Sequence, residues 1–150
     1  MGTDEKGDSV TPREIADMIK RHEGGPSDVY LDTVGILTLG WGHALHVGSP
    51  VPLEVSRIFF ENDFNNAVRD VELLLGEYDI YPDPVRKAVL ISMAFHLGRA
   101  GLLGFKKMWA ALMALDYNEA ANQILDSKAA RQCPKRYIEL SKMMRTGERA

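Results

Sequence analysis

The apolar positions of this chain follow a helical period, then a strand period, then a helical period again. Ile15, Met18 and Ile19 form one helical stripe. Ahead of them, Thr11-Pro12-Arg13-Glu14 offers a capping hydroxyl, a proline suited to the first helical position and a glutamate that completes a capping box. Gly24-Gly25-Pro26 stops the helix, which places Glu23 in its last turn. From Val29 to Gly42 the period shortens to two, and Asp32-Thr33-Val34-Gly35 supplies turn chemistry, so a β-hairpin is predicted. On its second strand Ile36, Thr38 and Gly40 share one face, and Leu37, Leu39 and Trp41 share the other. Glycines at 40 and 42 weaken a strand and indicate close approach of a backbone or a ligand.

From Pro52 onward the pattern is helical. One helix runs from Pro52 to Leu75 with Val55, Ile58, Phe59, Val68, Val71 and Leu75. Asp83-Pro84 caps a second, which carries Val89, Leu90, Met93, Ala94 and Leu97 to a stop at Gly98. Gly101 to Gly104 reads as a break, and Phe105 to Leu115 as a third helix with Met108, Trp109 and Leu112 apolar. Asp116 with Glu119 caps a fourth, and Pro134 opens a last one to about Arg145. The fold class is α+β: a small hairpin lobe over about 24–50, joined by a long helix to a helical lobe over about 52–147, with a cleft expected between lobes. Residues 1–10 read as a loose tail.

Composition narrows this picture. The chain has 150 residues, 45% apolar and 26% charged, which suits one globular domain with a real core. No apolar run is long enough to span a bilayer, so stable membrane insertion is not expected. The polar, acidic start MGTDEKGDSV lacks the basic flank and apolar stretch of a signal peptide, so synthesis in the cytoplasm is expected, with any later site of action reached by release or delivery. The lone Cys133 excludes an internal disulfide and a cysteine-based zinc site; it reads as a small core or helix-start residue. A net charge of -3 gives no global sign of nucleic-acid binding. After Asp126 the balance reverses, with Lys128, Arg131, Lys135, Arg136, Lys142, Arg145 and Arg149. That end is either a solvated helix face or a surface for an anionic polymer. A monomer is the expectation, since scattered apolar residues define no interface.

The segment RHEGGPSDVYLDTVGILTLGWGH, Arg21 to His43, concentrates the candidate chemistry. The negative end of a helix dipole disfavours the ionised form of Glu23, which suits a general acid. Turn amides favour the ionised form of Asp32. Thr38 can hold a water by its hydroxyl. A protonated and an ionised carboxyl across a cleft is the arrangement glycoside hydrolysis needs, and a separation of roughly 6.5–9.5 Å leaves room for an attacking water and inverts the anomeric carbon. Taken singly, each residue has a plainer reading: a solvated charge, a turn former and a β-branched strand residue.

Together they resemble a known signature. Glu23-Gly24, Tyr30-Leu31-Asp32-Thr33, Gly35 and Thr38-Leu39-Gly40-Trp41-Gly42-His43 closely resemble the catalytic segment of the phage-type lysozymes, in particular the T-even phage lysozyme and its tail-associated relatives. Ordered matches continue through Phe60-Glu61-Asn62-Asp63, Ala67-Val68-Arg69, Val85 to Gly98, Gly104-Phe105, Pro134-Lys135-Arg136 and Arg145-Thr146-Gly147. The resemblance implies a muramidase that cleaves the β-1,4 bond between N-acetylmuramic acid and N-acetylglucosamine in peptidoglycan. Glu23 would be the general acid, Asp32 the group that positions water and Thr38 its helper. It implies no metal and no organic cofactor. It further implies that Arg136 pairs with Glu23, that Phe95, His96 and Gly40 line or support the sugar site, and that His43 and Asp63 form a structural pair. His96 reads equally well as a core or rim histidine.

The chain also departs from these relatives. The connection from Ala44 to Val51 is shorter, Ala129-Ala130 replaces an aromatic pair, Cys133 takes a threonine position, and the net charge is acidic. The resemblance implies action on periplasmic peptidoglycan, either as an endolysin or carried on a phage or secretion assembly. Two other readings share the substrate: a binding module that has lost turnover, and a lytic transglycosylase, which would not need Asp32.

Overall fold

The structure, a computed structural model, describes residues 10–24 and 28–150. The expected loose tail and Gly25-Pro26 therefore lie, wholly or nearly so, outside the described residues. The chain divides into two units, one ending at Val51 and the other beginning at Pro52.

In the first unit, helix α1 spans Pro12–Glu23. Its start follows the sequence: the Thr11 hydroxyl accepts from the Glu14 amide at 3.3 Å, and the Glu14 carboxylate accepts from the Thr11 amide at 2.8 Å. Gly24 ends it, its amide donating to the Lys20 carbonyl. Three short antiparallel strands follow in the order β1 (Val29–Leu31), β2 (Leu37–Leu39) and β3 (His43–Ala44). Tyr30 faces Thr38, and Leu39 faces His43. The hairpin is thus as the sequence predicts, with a third strand added after Gly42. Two residues carry no readable periodicity, so only the pairing across the Gly40–Gly42 turn reveals it.

In the second unit, α2 (Leu53–Tyr78) packs along α3 (Pro84–Leu103), and α5 (Tyr117–Leu125) packs along α7 (Pro134–Thr146), with α4 (Lys106–Met113) and α6 (Lys128–Gln132) between. The core holds Trp109, Tyr137, Leu74, Leu90, Met93 and Leu102, all with almost no exposure. Trp109 stacks on Tyr78 at 4.8 Å and donates its indole N–H to the Leu102 carbonyl at 3.0 Å. Ser141, also buried, donates to the Ala121 carbonyl and so ties α7 to α5 at no polar cost.

Arg86 joins three helices. It donates to the Met144 carbonyl at 2.7 Å and the Arg145 carbonyl at 3.1 Å, which serves the otherwise unpaired end of α7. It also pairs with Asp83 at 2.8 Å and lies 3.6 Å from the centre of the Tyr117 ring. Asp83 caps α3 through the Val85 and Arg86 amides.

The structure corrects two expectations here. The stop at Gly98 is real, with φ 72°, but residues 99–103 resume the helix, so no break spans Gly101 to Gly104; the second interruption is at Gly104 and Phe105. Helix α6 was also not foreseen. Ser127 caps it, accepting from the Ala130 amide at 3.0 Å, and Ala129-Ala130 are small enough to be buried.

Candidate active site

Three hydrogen bonds to the amide and carbonyl of one residue, Ile36, organise the hairpin around Asp32. The Ile36 amide donates to Asp32 Oδ1 at 2.8 Å, and its carbonyl accepts from the Asp32 amide at 2.9 Å. The same carbonyl accepts the Thr38 hydroxyl at 3.0 Å. Asp32 Oδ1 takes a second amide, that of Val34, at 2.9 Å, and the Asp32 carbonyl accepts from Gly35. An aspartate that ties its own turn in this way loses little freedom when it acts. Both turn amides go to Oδ1, which leaves Oδ2 for a water or a substrate group.

Thr38 sits mid-strand on β2 and is the one fully buried residue described before Pro52, at 3% exposure. Its hydroxyl proton is committed to Ile36, so its oxygen is available as an acceptor. Glu23 is the last residue of α1, exposed, with its carboxyl against the Cα of Gly42. Close approach therefore occurs at Gly42, as the glycine pattern suggests. At Gly40 nothing lies within 4 Å of the side-chain position. Lys20, one turn before Glu23, places its ammonium 4.9 Å from the centre of the Trp41 ring. Glu23, Asp32, Thr38, Gly40 and His43 thus all belong to the first unit, with His43 on β3.

The other expected residues lie in the helical unit. Phe95 is part of an aromatic row, 5.5 Å from Phe60, which in turn stacks on Phe64 at 6.0 Å. Arg136 is exposed in the first turn of α7, and Asp63 is exposed on α2. His96 is half-buried. Its Nδ1 is 2.9 Å from the Tyr137 hydroxyl and its Nε2 is 3.8 Å from Cys133 Sγ. Burial raises the pKa of Tyr137 above its ordinary value, against the pull of neighbouring Arg136, so the phenol stays protonated. A sugar contact by His96 would displace one of these partners. Cys133 itself is the N-cap of α7, the helix-start place its sequence context suggests.

One feature of the helical unit has no counterpart in the sequence reading. A groove of about 660 Å³ opens between α4 and α6. Lys106, Lys107 and Lys128 line it against a single acid, Asp126, with Phe105 and Met108 contributing apolar wall. Its chemistry suits a ligand that carries carboxylates on a compact apolar frame. The signal was present as three separate lysines, but only the α4–α6 packing collects them. Among the described residues no His, Cys, Asp and Glu groups gather as a metal site, and no single helix is long and apolar enough to cross a membrane.

The family model for phage lysozyme matches residues 20–137, a span that contains all nine expected site residues. Probable T4-type lysozyme 1 of Dictyostelium discoideum is 27% identical over 160 residues, covering 89% of this chain and 94% of that protein. Probable T4-type lysozyme 2 of the same organism is 28% identical over the same length. The pre-baseplate central spike protein Gp5 of Enterobacteria phage T4 is 26% identical over 159 residues, which cover 89% of this chain but 28% of that much longer protein. With an α+β fold of the expected kind and a family match over well over half its length, the chain belongs to the phage lysozyme family, a family of lysozyme-like glycosidases.

Proposed function

We propose that this protein is a muramidase that hydrolyses the β-1,4 bond between N-acetylmuramic acid and N-acetylglucosamine in peptidoglycan. Glu23 protonates the leaving oxygen, Asp32 orients and activates the attacking water through Oδ2, and Thr38 accepts a hydrogen bond from that water. The carrying observation is the Asp32–Ile36–Thr38 network, which fixes a carboxylate and a hydroxyl on one rigid hairpin. The inverting outcome follows from water, not Asp32, attacking the anomeric carbon. By the family resemblance, Arg136, Phe95 and Gly40 take supporting roles toward Glu23 and the sugar, and His43 and Asp63 take structural ones. His96 acts as a supporting residue through Tyr137. The lysine-lined groove takes carboxylates of the peptide stems that substitute the glycan.

The similarity to a T4 spike protein favours carriage on a phage or secretion assembly, with action on periplasmic peptidoglycan after delivery. No nucleic acid, membrane insertion or second subunit enters this reading.

The test is product analysis on purified peptidoglycan with the wild type, Glu23→Gln and Asp32→Asn. Asparagine keeps the Oδ1 acceptor that the Val34 and Ile36 amides require, so the hairpin survives that change. Reducing muramic ends from the wild type, with losses of about 10²–10⁴-fold in both variants at unchanged melting temperature, support the assignment. Anhydro-muramic ends would replace hydrolysis by transglycosylation. Retention of peptidoglycan without cleavage would leave only a binding module.

A further inference from the structure

The absence of a side chain at position 42 has a specific occupant. A Cβ built on Gly42 would stand 2.8 Å from Glu23 Oε2, 2.9 Å from Glu23 Cδ and 3.3 Å from Oε1. The whole carboxyl group therefore rests on the Cα of Gly42, in space that any other residue would fill. The same turn touches α1 a second time, where Lys20 lies over Trp41. Lys20 and Glu23 are three residues apart and share a helix face. The Trp41-Gly42 pair thus meets the last turn of α1 at two points, one through an indole ring and one through a missing side chain.

From this geometry we infer that Gly42 is a positioning residue for Glu23: its bare Cα sets where the carboxyl stands. The inference rests on the reading of Glu23 as the acid. The group displaced by a new Cβ is the far end of a flexible side chain, so the clash can be relieved by a χ rotation of Glu23. Relief costs little stability but moves the carboxyl by the distance of a van der Waals overlap. Displacement on the order of 1 Å at a reacting group can cost about 10²-fold in rate.

Gly42 also has φ 81°, so an alanine there carries backbone strain that must be separated from the clash. Gly48 provides the control. It has φ 85° in the same unit, with nothing within 4 Å of its side-chain position. Gly42→Ala and Gly48→Ala should therefore lower the melting temperature by similar amounts. Only Gly42→Ala should lower kcat, by at least about tenfold and up to about 10²-fold, with KM nearly unchanged and the alkaline limb of the pH–rate profile, where the acid must still hold its proton, shifted. Combining Gly42→Ala with Glu23→Asp, which shortens the offending side chain, should cost less than the sum of the two single changes.

Carbon-13 titration of the Glu23 carboxyl gives a readout that needs no turnover. Its chemical shift and midpoint should move in Gly42→Ala and stay in Gly48→Ala. If the wild type cleaves nothing, the proposed function fails, and this titration alone decides the positioning role. Turnover of Gly42→Ala within twofold of Gly48→Ala would overturn the inference. So would an unmoved Glu23 resonance, or an activity loss explained by a melting temperature well below that of Gly48→Ala.

Discussion

The two units obtain their structure in different ways. From Pro52 onward, helices bury large side chains against one another; all the buried apolar residues described lie from Ala67 onward. Before Pro52, Thr38 is the one buried residue described, α1 buries none, and Ile15, Met18 and Ile19 remain 40–46% exposed. The first unit is shaped instead by short-range hydrogen bonds: the Thr11–Glu14 box, the Asp32 turn and three strands of two or three residues. The candidate acid and water-orienting groups sit on this locally specified part, and the stability sits elsewhere. Loops and turns commonly carry chemistry in this way.

The contrast can be broken most severely in the helical core. Trp109→Ala removes a fully buried indole and its stack on Tyr78, and should destabilise the protein by about 3–5 kcal/mol. Ile15→Ala on α1 should cost less than about 1 kcal/mol in the same urea titration. Equal losses would mean that α1 buries its apolar stripe in solution, and the contrast would collapse.

Arg86→Ala comes next. It strips two carbonyls at the end of α7 of their donor, and removes the Asp83 pair and the Tyr117 ring contact, for about 2–3 kcal/mol. Arg86→Lys keeps the charge but not the planar fork, and should recover less than half of that. Full recovery by lysine would reduce Arg86 to a point charge.

A smaller effect is pH-dependent. Burial pushes the pKa of Asp83 up, but hydrogen bonds from the Arg86 amide and side chain and the Arg86 charge outweigh it, so the folded value lies below the ordinary 3.8. A carboxylate depressed on folding stabilises the protein above the unfolded value, and that contribution is lost as pH falls through the folded one. The melting-temperature advantage of wild type over Asp83→Asn should therefore be complete near neutral pH and fade below pH about 4. A gap that persists or widens in acid would show that the Asp83 charge does not carry the effect.

The mildest change is Thr11→Ala, at about 1 kcal/mol of local helix stability. Hydrogen exchange should quicken at the first α1 amides while core amides of α3 and α5 stay protected. Faster exchange in both units would mean that they unfold together.

What the sequence determined by itself is what neighbours within a few residues can fix. Thr11, Asp83 and Asp116 cap the helices they precede, Pro134 opens α7, and Asp32 to Gly35 turn the hairpin. Each is a contact spanning no more than four positions, so residue type and spacing suffice. The candidate set of Glu23, Asp32 and Thr38 came from its resemblance to a family signature within 16 residues. Tertiary structure alone decided the rest. It paired β3 with β2, resumed the helix after Gly98, and folded α6 on two buried alanines. It set His96 between Tyr137 and Cys133, about 40 residues away in sequence, and gathered three lysines around one groove. It also laid the Glu23 carboxyl on Gly42. Apart from the short β2–β3 turn, whose two-residue strand has no readable period, these contacts join residues far apart along the chain, and no period or local motif encodes a partner that only packing supplies.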